Sequence, residues 1–282
     1  MGETSEAKKI VGPNEMRRII LIQSRRANVG HIGSCLCVVE ILSALYSSVL
    51  KISDPKHPER DRFILSKGHA GLALYAALVL KGWLSEEQLN TFCGDNTFLG
   101  VHPVTAIPGV DFSTGSLGQG ICIAVGSALA ARLQGSKRRV FCLISDGECN
   151  EGSVWEAAML AAQHRLSNLH VIVDCNGQQA LNLTRDVLDQ SNLAERWRNF
   201  GWWSAEVDGH SVSDLVNTLN TSSGEHPKLI VARTVFGKGV SYMEQGIPLS
   251  QTHLPVQSIN WHYLPMSEHE YRVAMDQLES CN

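Results

Sequence analysis

The sequence narrows the possible functions first by what it lacks. It has no basic run longer than Lys137-Arg138-Arg139, and the formal charge of the 282 residues is −4 with the 11 histidines neutral. A weakly acidic balance lacks the cationic footprint of a nucleic-acid binder, and the short basic stretch reads as a surface turn. The amino end, MGETSEAKKIVGPNEM, contains no apolar core segment, so no secretory signal is expected. Position 6 is Glu, where an N-myristoylation signal needs Ser or Thr. No stretch of about 18 apolar residues stands out, so no membrane span is expected and the expected compartment is the cytoplasm. Internal repeats and low-complexity segments are also missing.

Cysteine is present but not in metal-binding order. Of the eight, Cys35 and Cys37 have no second pair at zinc-site spacing. Most of the others sit in apolar runs such as FCLIS and GICIAVG, where a free thiol behaves as a small hydrophobe.

What is present alternates. RFIL (62–65), RVFCLIS (139–145), LHVIVD (169–174), WSAEVD (203–208) and KLIVART (228–234) read as strands. Between them lie helical stretches at GHAGLALYAALVLKG, 117–133 and 152–166, and one that starts at Ser211 and Asp214. Ser85 to Gln88 and Ser267 to Glu270 have capping-box spacing. Strands separated by helices imply βαβ units, an α/β fold of three α/β/α layers and a mostly parallel sheet. Residues 1–240 are expected to form the main domain, with 241–282 a C-terminal arm and helix packed on it. In such a fold ligands bind beyond the carboxyl ends of the strands.

At those ends stands Ser145-Asp146-Gly147-Glu148, and 30 residues after Asp146, about one βαβ unit, stands Asn176, followed by Gly177-Gln178. Neighbouring parallel strands bring Asp146 and Asn176 to one edge. A carboxylate, an amide oxygen and a carbonyl are hard ligands that suit an octahedral Mg²⁺ with phosphate oxygens completing the shell. Backbone amides around Gly147 and Glu148 can meet a phosphate.

This spacing resembles the motif of thiamine-diphosphate enzymes, with Ser145 where the family has its first glycine. The resemblance implies Asp146, Asn176 and the carbonyl of Gln178 as ligands of Mg²⁺, or of Ca²⁺ or Mn²⁺. Further segments resemble transketolases: Asn28 to Ser34 around His31, Leu65 to Ala70 around His69, Gly100 to Pro103 around His102, Ser113 to Gly120, and Trp261-His262. The resemblance implies four catalytic histidines, with His69 and His262 near the diphosphate and His31 and His102 at the substrate's hydroxyl and carbonyl end. It implies cofactor contacts from His69, Gly115, Ser116, Leu117, Gly147, Glu148, Asn176 and His262. It places acidic Glu151 and Glu156 near a subunit contact. The activity implied is transfer of a two-carbon ketol unit from a ketose to an aldose or other aldehyde. The family's pyrimidine-contacting glutamate has no counterpart here, so a pyrimidine-domain partner chain is expected, in a heteromer with two copies of each.

The other histidines have plainer expectations. His57, His164, His170, His226, His253 and His269 are expected to be exposed, and His210 to be a turn residue. Three rival functions are open: a non-catalytic scaffold or regulatory subunit, an acyloin-forming carboligase with an α-keto acid donor, and a dinucleotide-binding module. The third fits poorly, because Gly115, Gly118 and Gly120 do not follow G-x-G-x-x-G.

Overall fold

Successive residues of each strand point to opposite sides of the sheet, and here each side has its own apolar layer. The computed structural model describes residues 10–180, 182–244 and 260–280. Within them the elements run α1 (Pro13–Ala27), α2 (Ile32–Leu36), α3 (Val39–Ala44), β1 (Arg62–Leu65), α4 (Gly71–Lys81), α5 (Glu86–Leu89), α6 (Gln119–Leu133) and β2 (Val140–Ser145). There follow α7 (Gly152–Gln163), β3 (Leu169–Cys175), α8 (Thr184–Val187), α9 (Leu193–Asn199), β4 (Trp203–Asp208), α10 (Val212–Asn220), β5 (Lys228–Arg233), α11 (Ser241–Glu244) and α12 (Glu268–Ser280). The strands lie in the order β1-β2-β3-β5-β4 and every pair is parallel.

Phe63, Leu65, Phe141, Leu143, Ile172 and Ile230 face one core, which they share with residues of α1 to α4, α10 and α12. Ile64, Val140, Cys142, Ile144, Val171, Val173 and Val231 face the other, with α6, α7 and α9. This is the expected three-layer arrangement, and it explains why the inner strands read as unbroken apolar runs. β4, on the edge, keeps no fully buried residue.

Local signals set the element ends. Pro13 opens α1, where its missing N–H costs nothing, and Asn28 closes it at φ 53°. Both capping boxes form: Ser85 Oγ accepts from Gln88 N, and Ser267 Oγ accepts from Glu270 N while Glu270 Oε2 accepts from Ser267 N. Ser211 caps α10 by accepting from Asp214 N. Met243, Trp261, Met266, Ala274 and Leu278 join the first core, so the described residues of 241–244 and 260–280 share the apolar interior of the preceding ones.

Three expectations need correction. Ile32–Val49 is an 18-residue helical run of mean hydropathy 1.7, apolar and long enough to cross a membrane by length and composition. Glu40 and four serines break its apolar appearance in the sequence, and 89% of it is buried inside the fold as a core element. His170 is buried rather than exposed, stacked on Phe141 with ring centroids 4.6 Å apart. The Lys137–Arg139 stretch is not a plain turn: Arg139 pairs with Asp61, buried beneath it, and lies over the Phe141 ring. His57, His164, His226 and His269 are exposed, and His253 lies outside the described residues. The seven described cysteines are free thiols.

Candidate active site

Three histidines from three distant segments meet at the carboxyl ends of the strands. The ring centroids of His31, His69 and His262 are 5.5, 5.4 and 5.5 Å apart, a near-equilateral group. His31 sits just before α2 with φ 61°. His69 lies in the tight turn after β1, and His262 follows the undescribed 245–259 stretch. Backbone bonds hold the third segment to the first: His31 N donates to His262 O at 3.0 Å and Gly33 N to Trp261 O at 3.3 Å. Gly30 permits that approach, since a Cβ there would stand 2.4 Å from Tyr263 O. Tyr263 closes the group from outside, its ring 5.5 Å from His31 and 4.8 Å from His262.

The fourth histidine, His102, is exposed and lies against the loop that carries Gly115. A Cβ on Gly115 would meet the His102 ring at 3.1 Å, and one on Gly68 would meet Gly115 N at 2.8 Å. Thr114 fastens this loop by donating from Oγ1 to Leu65 O at 2.6 Å and from N to Pro103 O at 3.2 Å. Ser116 is exposed and Leu117 partly exposed.

The trio is held in the neutral form. Burial, the charge of His102 and that of Lys67 lower the His31 pKa to about 4. Burial, His31 and Lys67 lower that of His262 to about 4. Burial, Lys67 and the other histidines push His69 well below the ordinary value. Nδ1 of His31 and Nδ1 of His262 are buried without a partner among the described residues. Such atoms are costly unless something else bonds them.

The second half of the site is the edge where β2 and β3 end. Ser145 pairs with Asp174 in the sheet register, and Asp146 N donates to Asp174 O at 3.1 Å. Asp146 is buried: Oδ1 accepts from Gly147 N at 2.8 Å, and Oδ2 accepts from Gly177 N and Thr184 Oγ1, both at 2.9 Å. Burial and the nearby Asp174 raise its pKa to about 6. Among the described residues it has no ion-pair partner. A buried carboxylate in that condition suits a cation. Asn176 Oδ1 accepts from Gln178 N at 2.9 Å on the same turn. The protein's contribution is therefore one carboxylate and neutral oxygens, which fit a divalent ion that shares its shell with phosphate oxygens.

Ser145 takes the place of a glycine without strain. It is absent from the positive-φ residues, and its Oγ accepts from Glu148 N at 3.1 Å. Glu148 is fully buried, and its carboxylate is already taken: it accepts from Ser66 Oγ, Gly118 N at 2.7 Å and Ser145 N at 3.4 Å. It ties the His69 loop to the Gly118 loop. Glu156 is exposed on α7 and Glu151 at its N-cap, where Glu151 lies against Gly118.

A family model for the transketolase thiamine-diphosphate-binding domain matches residues 10–270. The chain belongs to this family. It is 40% identical over 236 residues to a 6-deoxy-6-sulfo-D-fructose transketolase subunit of Clostridium sp. strain MSTE9, covering 82% of this chain and 86% of that one. It is 38% identical to an apulose-4-phosphate transketolase subunit of Actinobacillus succinogenes, covering 93% and 92%. The crystal structure of transketolase from Campylobacter jejuni superposes with a TM-score of 0.82 at 30% identity, covering 95% of this chain and 42% of that one. The chain thus spans about two fifths of that solved transketolase and corresponds to the N-terminal part of the enzyme.

Several residues of this transketolase-family site carry no clear signal in the sequence. Lys67 and Asp174 are fully buried and ion-paired between the two halves of the site. Burial opposes both charges, but each holds the other ionised, with the Lys67 pKa above and the Asp174 pKa below their ordinary values. His210 lies in the turn after β4, as expected, and is tied there on both ring nitrogens. It accepts from Val235 N at Nε2, so Nδ1 carries the proton that goes to Glu40 Oε2, 2.9 Å away, and Glu40 pairs with Arg17. LSKGHA holds the one signal for Lys67: a lysine directly after an apolar strand.

Proposed function

We propose that this chain is the diphosphate-binding half of a split transketolase, transferring a two-carbon ketol unit from a ketose to an aldehyde acceptor. The observation that carries the reading is the meeting of His31, His69 and His262 beside the Asp146 edge. When bound, thiamine diphosphate supplies the carbon nucleophile that ketol transfer needs.

The chain's own residues bind and orient. Asp146, Asn176 Oδ1 and the Gln178 carbonyl would hold Mg²⁺, or Ca²⁺ or Mn²⁺, and the amides around Gly147 would meet the diphosphate. His69 and His262 would bond the diphosphate end, and Gly115, Ser116 and Leu117 would offer backbone to the aminopyrimidine. His31 and His102 would face the sugar, where an imidazole can accept a proton from a donor hydroxyl and return it to the acceptor's carbonyl oxygen. Glu148 serves by fixing the loops rather than by touching the cofactor.

Two features support a partner chain. Two relatives of similar length carry the word subunit in their names, and the chain matches only part of the solved transketolase. Exposed Glu151 and Glu156 are placed for subunit contact, in a heteromer with two copies of each chain. The substrates named for those relatives, a sulfo-sugar and a sugar phosphate, support an anionic sugar here.

Calorimetric titration of thiamine diphosphate with Mg²⁺ tests the reading, first on this chain and then on its mixture with a pyrimidine-domain chain. Tight binding in the mixture, lost in Asp146→Ala, is expected. Absence of binding in both samples would overturn it in favour of a scaffold.

A further inference from the structure

The pair Lys67–Asp174 is buried completely, and nothing in ketol transfer requires an ion pair at that depth. Replacing such a pair with apolar residues is often neutral or stabilising, so stability is a weak reason for it. Its hydrogen bonds point elsewhere. Asp174 Oδ1 accepts from Thr234 Oγ1. Oδ2 accepts from Lys67 Nζ, from Cys37 Sγ at 3.1 Å and from Asn176 Nδ2 at 2.8 Å. Every neighbour of the carboxylate is a donor, as an ionised acid demands.

An amide has two unlike ends. With Nδ2 committed to Asp174, Asn176 must turn Oδ1 toward the 176–178 turn, where it accepts from Gln178 N at 2.9 Å and keeps a second lone pair. The next amide of that turn, Gly177 N, bonds Asp146. The reverse orientation would set Oδ1 against the Asp174 carboxylate and present NH₂ to a cation. We infer that Lys67 and Asp174 are positioning residues: they lock the amide of Asn176 with its oxygen available to a divalent ion at the Asp146 edge. Lys67 pairs with Asp174, Asp174 accepts from the Asn176 amide and so orients it, and Cys37 and Thr234 fix the carboxylate plane. The inference rests on the proposed metal site and assigns it a supporting shell of the kind whose loss weakens metal affinity about ten- to a hundredfold.

The test uses Mn²⁺, followed by loss of its free-ion electron paramagnetic resonance signal, in the assembled enzyme with thiamine diphosphate. The double substitution Lys67→Met with Asp174→Leu removes the pair without leaving a buried charge alone. We expect about ten- to a hundredfold weaker Mn²⁺ binding. Adding Asn176→Asp to that double variant restores affinity, because a carboxylate offers oxygen at both ends. The same Asn176→Asp in the native background weakens binding, since it faces Asp174. A folded double variant that binds Mn²⁺ as the native enzyme does would overturn the inference and leave the metal site standing. So would a loss that Asn176→Asp fails to restore, since that marks general structural damage. Absence of Mn²⁺ binding by the native enzyme would sink the metal reading itself. If the double variant does not fold, ¹⁵N–¹H spectra of the native chain decide. A slowly exchanging side-chain NH₂ of Asn176 supports the lock, and a rapidly exchanging one overturns it.

Discussion

The two halves of the site satisfy their polar atoms in opposite ways. At the carboxylate edge, Asp146, Asp174 and Glu148 each accept at both oxygens, from donors on neighbouring strands and turns. In the histidine group, Nδ1 of His31 and of His262 is buried with no described partner. The edge is built by adjacent strands whose register puts Ser145 beside Asp174, and by the turns that follow them. The trio is built by segments far apart in the chain and packed through their backbones, and its free nitrogens await a ligand. One half is organised by the fold, whereas the other is organised by the fold for something still to bind.

Substitutions can break that contrast. The largest effect is expected from Lys67→Met alone, which leaves Asp174 charged and buried without its partner. It should cost about 3–5 kcal/mol of stability, read by urea unfolding. His31→Asn should do the reverse. It keeps a residue suited to positive φ and removes an imidazole whose Nδ1 bonds nothing in the described structure. Unfolding free energy should change little, while ketol transfer falls by about 10²–10⁴-fold. A comparable loss of stability in both variants would erase the distinction between the halves.

The smallest effect lies in pH. The folded-state pKa values of His31 and His262 are about 4, below the ordinary 6.5. Between those values the unfolded chain binds the protons and the folded chain does not, so stability rises with pH across that window and is lost as pH falls through it. The double variant His31→Gln with His262→Gln should show a flatter dependence from about pH 4 to 6.5 in urea titrations. An unchanged slope would mean that the trio is not held neutral.

The sheet was almost fully legible. RFIL and WSAEVD match β1 and β4 residue for residue, and the three inner strands differ by a residue at one end. A doubly covered parallel strand leaves an unbroken apolar run, and that signal is local. The Asp146–Asn176 spacing was legible for the same reason, because one βαβ unit fixes it. The Lys67–Asp174 pair was not: its partners are 107 residues apart, and neither flanking sequence encodes the meeting. His170 defeats a reading by residue type, because a histidine looks exposed while the strand's position buries it. Ile32–Val49 is hard to see because Glu40 and four serines interrupt its apolar residues, while the fold still buries 89% of the run.

The backbone bonds from His31 and Gly33 to the 261–262 segment carry a consequence for how the enzyme comes into being. Translation supplies β5, the strand that joins β4 to the rest, by residue 233. At that moment the nascent chain holds every strand of the sheet and its carboxylate edge, but only two of the three clustered histidines. His262 emerges roughly thirty residues later, a few seconds of synthesis. During that interval the pocket is open on the side that Trp261, His262 and Tyr263 will close. A ribosome that stalls there would release a protein with its scaffold in place and its chemistry unfinished.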